Sequence, residues 1–173
     1  MLRNVWIASS TIVWNSSFYD NPYKTDVAGG LYLEGDAHSI VNSIIAYNSG
    51  GDPNIGGSLD PAYEDDCYIL AGTLTASYNI VQGPDNCPFT AGDTHIDPKV
   101  LPNLVDHGGA TPTHAIDPDG PAHDSGDPAG CKDPDGRLLD FDQRGAGFPR
   151  VSGPQCDKGA FEWVDLVFQN GFQ

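Results

Sequence analysis

Apolar and polar residues alternate in short bursts along the first half of the chain. Thr11 to Asn21 reads TIVWNSSFYDN and Ser39 to Asn48 reads SIVNSIIAYN, each a β-branched or alternating run closed by Asn, Asp or Gly. That pattern predicts short strands between tight turns. Setting Asn15-Ser16 against Asn42-Ser43 gives an offset of 27 residues and brings Asn21 onto Asn48. Thr73 to Val81, TLTASYNIV, keeps the alternation and an Asn79 after a longer insertion, and Gly29-Gly30 and Gly35-Asp36 bracket one more strand at Leu31-Tyr32-Leu33. A repeat of this length predicts a solenoid, in which each turn of chain buries its apolar face only against its neighbours. Asn suits the corners of such a stack, because it tolerates the left-handed backbone region and can hydrogen-bond its copy in the next turn. A meander of antiparallel hairpins is the competing arrangement.

From Gly83 onward the repeat gives way to turns: Gly83-Pro84-Asp85-Asn86, Ile96-Asp97-Pro98, His107-Gly108-Gly109, Asp117-Pro118-Asp119-Gly120 and Asp133-Pro134-Asp135-Gly136. Pro and Gly at this density exclude central strands and helices. The end of a solenoid exposes unpaired strand edges, so a polar, turn-rich cover is physically required there. The expected organisation is therefore coils over 1–83, a cap packed on the solenoid end over 84–163, and a short tail over 164–173.

Composition sharpens this picture. There are 24 acidic residues, only three of them Glu, together with 21 Gly and 14 Pro. Asp, Gly and Pro favour turns over helix interiors, which leaves an all-β architecture. A net charge of −16 excludes a phosphate-coating nucleic-acid binder or a polybasic membrane-surface protein. No apolar run reaches the length of a membrane-spanning helix, and residues 1–15 do not read as a secretory signal. The four cysteines, Cys67, Cys87, Cys131 and Cys156, allow three connectivities and contain no CxxC pair that would suggest zinc or redox chemistry. Proximity in sequence favours Cys67 with Cys87 and Cys131 with Cys156, and disulfides imply an oxidising compartment.

Taken together, the series Asn42-Ser43-Ile44-Ile45-Ala46, Asp66-Cys67, Ser77-Tyr78-Asn79-Ile80, Asp97-Pro98, His107 to His114, Pro121 to Gly126, Asp142-Gln143-Arg144-Gly145 and Cys156 to Glu162 resembles the C-terminal part of bacterial right-handed parallel β-helix proteins of the choice-of-anchor type, relatives of the pectin-lyase-like fold. The resemblance covers nearly the whole chain. It implies an exported, surface-associated or secreted β-helix of unassigned activity. The chain is short for such a protein: its roughly three coils fit the end of a longer groove-bearing solenoid, and if upstream coils are missing, any carbohydrate cleft is missing with them. The tail VDLVFQNGFQ resembles the C-terminal tails of some secreted bacterial proteins.

Several groups of residues could carry chemistry. Asp117, Asp119, Asp124 and Asp127, followed by Asp133 and Asp135, lie on turns that could offer hard oxygen ligands to calcium, although none fits the EF-hand spacing. The same residues are good turn formers on a solvated surface. Arg144 and Arg150 stand near Asp142, Asp157 and Glu162, where a guanidinium can fix two turns through a bidentate pair or stabilise charge in lyase-type chemistry. Paired carboxylates could hydrolyse a glycosidic bond, but the repeat region offers only Asp20, Asp26, Glu34 and Asp36. The five His are scattered, with His107 and His114 the closest pair. Trp6, Trp14, Tyr19 and Tyr32, with Tyr23 and Tyr47, concentrate in the repeat region, where aromatic rings facing outward can stack on sugars. The sequence thus predicts a short right-handed parallel β-helix with a disulfide-stapled cap, acting as a non-catalytic structural or adhesive module of the bacterial surface that binds polysaccharide with calcium as the candidate cofactor. The alternative is a polysaccharide lyase or glycoside hydrolase. A row of charged side chains along one face would favour the enzyme, and an aromatic or bland face would favour binding.

Overall fold

A computed structural model describes residues 4–18, 29–51, 66–83, 87–89 and 92–164. The described chain is all-β, without a helix. Its first half builds three levels. β1 (Asn4–Ala8), β2 (Thr11–Val13) and β3 (Ser16–Phe18) form the first; β4 (Leu31–Val41), β5 (Ile44–Ala46) and β6 (Ser49–Gly51) the second; β7 (Cys67–Ser77) and β8 (Ile80–Val81) the third. Each strand pairs in parallel with its counterpart one level on, giving open sheets in the orders β1-β4-β7, β2-β5-β8 and β3-β6.

The register corrects the repeat period. Ser10 meets Ser43 at a spacing of 33 residues and Ser43 meets Asn79 at 36, instead of the 27 obtained by matching Asn-Ser pairs. The physical reason is that every level has two corners of similar chemistry. Ser9, Asn42 and Tyr78 occupy the first corner, and Trp14 and Tyr47 the second, all with φ between 47° and 57°. Asn15 belongs to the second corner and Asn42 to the first, so aligning them slips one level by one corner. A non-Gly residue in the left-handed region costs energy, and a recurrence at matching positions shows that the stack imposes it.

Hydrogen bonds between side chains and backbone connect these corners across levels. At the first, Ser10 N–H donates to Ser43 Oγ (3.2 Å), Ser43 N–H to Asn79 Oδ1 (2.9 Å) and Asn79 N–H to Asp93 Oδ1 (2.8 Å). At the second, Asn15 N–H donates to Asn48 Oδ1 (3.0 Å) and Asn48 N–H to Asp66 Oδ1 (3.0 Å). Asn48 and Asn79 also return a donor to the level before: Asn48 Nδ2 to Ile12 O and Asn79 Nδ2 to Ile40 O. Asn42, Ser43, Asn48 and Asn79 are buried, so these bonds satisfy corner amides that solvent cannot reach.

Two apolar clusters hold the stack. Leu33, Ile40, Ile45, Val81 and the Cys67–Cys87 disulfide fill the interior. Ile44, Ala46 and Ile80 point the other way and pack under Val100, Ala115, Ile116, Ala122 and Phe161. The β2-β5-β8 sheet is therefore covered on both faces, which is why β5 carries consecutive apolar residues without alternation.

The second half of the chain supplies that outer cover. At the end of the stack, Thr94 forms a parallel bridge beside Ile80, and an antiparallel hairpin follows, β9 (Val100–Val105) with β10 (Thr113–Ile116). The cover extends beyond the end expected for it and runs along the flank. Lys158 Nζ reaches Asn79 O and Gly92 O, Gly159 N–H donates to Asn42 O, and Ala160 N–H donates to Thr11 Oγ1. Three consecutive residues thus touch three levels in turn. Gly159 is required there, since a Cβ would lie 2.6 Å from Thr11 Oγ1 and 2.8 Å from Ile44 Cδ1. The Cys131–Cys156 disulfide ties this segment to the turns before it.

Candidate functional site

The outer face of β1-β4-β7 is built by the longest strands of the described stack, β4 and β7, of 11 residues each. Along it the pleat sends Val5, His38 and Leu74 inward as one row and Trp6, Ser39 and Thr75 outward as the next. Asn4, Ala37 and Thr73 form a parallel outward row. Trp6 is 58% exposed, while Leu33, His38 and Ile40 on the opposite side are buried. Trp6, Ala37, His38, Ser39 and Thr75, with Pro134 of the cover, line a cleft of about 330 Å³. These two outward rows carry hydroxyl, amide, methyl and indole groups and no charged side chain. Glu34 and Asp36 are exposed further along β4, where the pairing with β7 shifts register.

Tyr32 stands 47% exposed on the same strand and stacks on Tyr68 with centroids 5.6 Å apart and planes 13° apart. Trp14 sits elsewhere, at the second corner. It stacks on Tyr47 at 4.9 Å and contacts His114 at 4.7 Å. Tyr47 then donates to Asp97 Oδ1 at 2.5 Å, so this group welds two levels to the cover. Tyr19 lies outside the described residues. Of the aromatic candidates among the described residues, Trp6 is the one that lines this cleft.

The cap charges form a buried network of their own. Arg144 grips Asp142 through Nε at 2.9 Å and Nη2 at 2.7 Å, and its guanidinium lies 4.2 Å over the Phe148 ring and 4.0 Å over Phe161. Arg150, 1% exposed, donates through Nη2 to Asp157 O and Gly159 O. Glu162 accepts Ser152 N–H and Asp157 N–H and faces Arg150 Nη1 at 3.6 Å. Burial, and then the Asp157 charge, push the Glu162 carboxyl up to about 8 against those donors. Burial likewise lowers Arg150 and Lys158 from their ordinary values. These groups fix turns of the cover and do not line the Trp6 cleft.

The Asp candidates for metal binding mostly shape turns. Asp117, Asp127 and Asp133 each accept the N–H two residues on, at 3.0, 2.8 and 2.9 Å, and Asp133 also accepts Arg137 N–H. Asp135 pairs with Arg137 on the surface, and Asp119 is exposed beside Asp117. Asp97, Asp106 and Asp142 make the same turn. Only Asp124 of the six meets other metal-ligating groups, His123 and Asp157. Neither His123 nor its approach to Asp157 was visible in the sequence, because nothing in the spacing of 123 and 157 marks them as neighbours. Compared with protein-family models, with curated proteins and with solved structures, the chain matches none.

Proposed function

We propose that this chain is a non-catalytic module of a right-handed parallel β-helix of the pectin-lyase-like type, exported to the bacterial surface, where it is structural or adhesive and binds polysaccharide. The uncharged outer face of β1-β4-β7 around Trp6 carries the reading. An exposed indole offers a flat apolar surface to a sugar ring, and the Ser39, Thr73 and Thr75 hydroxyls beside it can exchange hydrogen bonds with sugar hydroxyls. Glycoside hydrolysis needs two carboxyl groups flanking a bound sugar, and lyase chemistry needs a base and a charge-stabilising group. The two outward rows beside Trp6 carry neither, and His38, the titratable residue of the cleft lining, is 2% exposed. In the cover, Arg144 is bound to Asp142, while Arg150 donates through Nη2 to two backbone carbonyls and lines, with Asp142, a separate cleft against Ser9, Ser10 and Thr11. Two disulfides agree with an oxidising compartment.

Incubating the oxidised protein with insoluble polysaccharides, with and without calcium, and assaying bound protein and released oligosaccharide together tests this reading. Retention without product is the expected result. Released product, unsaturated uronides above all, would overturn it in favour of the lyase or hydrolase alternative.

A further inference from the structure

The geometry points to a divalent transition-metal site built by His123, Asp124 and Asp157, independent of the glycan-binding face. One ligand atom from each of these residues lies within 4.8 Å of the others, and His123 Nε2 is 3.6 Å from Asp124 Oδ2. They come from two segments far apart in sequence. The turn ending at Asp124 is held to the second segment by Asp124 N–H donating to Asp157 Oδ1 at 2.7 Å and by Lys158 N–H donating to Ala122 O. Asp157 follows directly on the Cys131–Cys156 disulfide, so its position is fixed covalently.

Three features distinguish this group from a surface ion pair. Asp124 adopts φ of 49°, a left-handed conformation that is strained for a residue with a side chain. Its Oδ1 is buried and has no hydrogen-bond partner, although a buried carboxylate oxygen without a donor is costly. Gly153 is compressed against that same oxygen: a Cβ there would lie 2.0 Å from Asp124 Oδ1, so only glycine leaves room for the carboxylate. Strain, an unmet acceptor and a glycine cut to fit it all converge on one carboxylate. A cation held by His123 and the two carboxylates would offset the two adjacent acids.

The donor set selects the ion. Calcium and magnesium take oxygen ligands, whereas one imidazole nitrogen with two carboxylate oxygens suits zinc or manganese. Asp157 is fully buried, but the side chains of His123 and Asp124 are 29% and 27% exposed, leaving an open side for entry and for water ligands.

Titration calorimetry of the oxidised, EDTA-treated full chain with zinc chloride tests the assignment, with calcium chloride as comparison. One zinc per chain is expected, with affinity reduced at least about tenfold in His123→Ala and in Asp124→Asn and unchanged in His95→Ala. The imidazole NMR signals of His123 should shift on zinc addition while those of His95 stay in place, a readout that does not depend on any variant folding. No saturable zinc binding, equal loss in His95→Ala, or saturation by calcium at the same affinity would overturn the site.

Discussion

At the scale of single residues, the second corner shows how strain, stacking and charge are combined. Tyr47 holds a left-handed φ, stacks on Trp14 and donates its hydroxyl to Asp97. That hydrogen bond holds the Asp97 carboxyl below its ordinary value of 3.8, while burial, and then Asp97, raise the Tyr47 hydroxyl well above 10.0. The two shifts act at opposite ends of the pH scale. The depressed Asp97 contributes stability above the unfolded carboxylate value, lost as pH falls through its lower folded value. The raised Tyr47 contributes stability below the unfolded tyrosine value, lost as pH rises beyond it. Tyr47→Phe keeps the stack and removes the bond, so it should cost about 1 kcal/mol near neutrality, a modest figure because Asp97 is solvent-exposed. Urea titrations should show that gap narrowing below pH 4 and again above pH 10. A gap that is constant from pH 3 to 11 would contradict the assignment.

At the scale of elements, the corner ladders decide the register of the strands. Asn79 is fully buried, accepts Ser43 N–H, and donates to Ile40 O and Asp93 Oδ1. Asn79→Ala strands those partners and should cost about 2–3 kcal/mol, read as a lower urea midpoint. Asn15, exposed at the first level, should tolerate Ala at under about 1 kcal/mol. Equal costs at the two positions would show that the ladder does not hold the levels together. The strands themselves were legible in the β-branched runs at Ile12-Val13 and Ile44-Ile45, and the Asp-rich turns in Asp-Pro and Asp-Gly pairs. The register was not, because Asn and Ser occur at both corners and local similarity cannot tell one corner from the other. The second apolar face of β5 was hidden for a related reason. Its partner, Phe161, is brought there by the return of the chain along the flank, which no local pattern encodes.

At the scale of the whole molecule, the cover and the stack share one apolar cluster, since Ile44 and Ile80 pack with Val100, Ala115, Ile116, Ala122 and Phe161 of the second half of the chain. The Cys131–Cys156 bond closes a loop of 25 residues within that cover. Replacing both cysteines by Ala should cost about 3 kcal/mol in the chain-entropy account. Hydrogen exchange should then show lost protection at 122–160 and also at Ile44–Ala46, the strand beneath. Loss confined to 122–160 would mean that the cover does not shield that sheet. Pro134 of the cover lines the β1-β4-β7 cleft together with Trp6, which stays 58% exposed. Trp6 was legible as a candidate in the sequence, but four aromatics were equally eligible, and only strand pairing separates an outward indole beside hydroxyl rows from one locked in a corner stack. The most direct test of the account is to compare wild type with Trp6→Ala for retention on whichever insoluble polysaccharide holds the protein, with Trp14→Ala as reference. Retention falling at least about tenfold in Trp6→Ala and little in Trp14→Ala is the predicted result. Undiminished retention of a folded Trp6→Ala protein would contradict the assignment of that face as the binding surface.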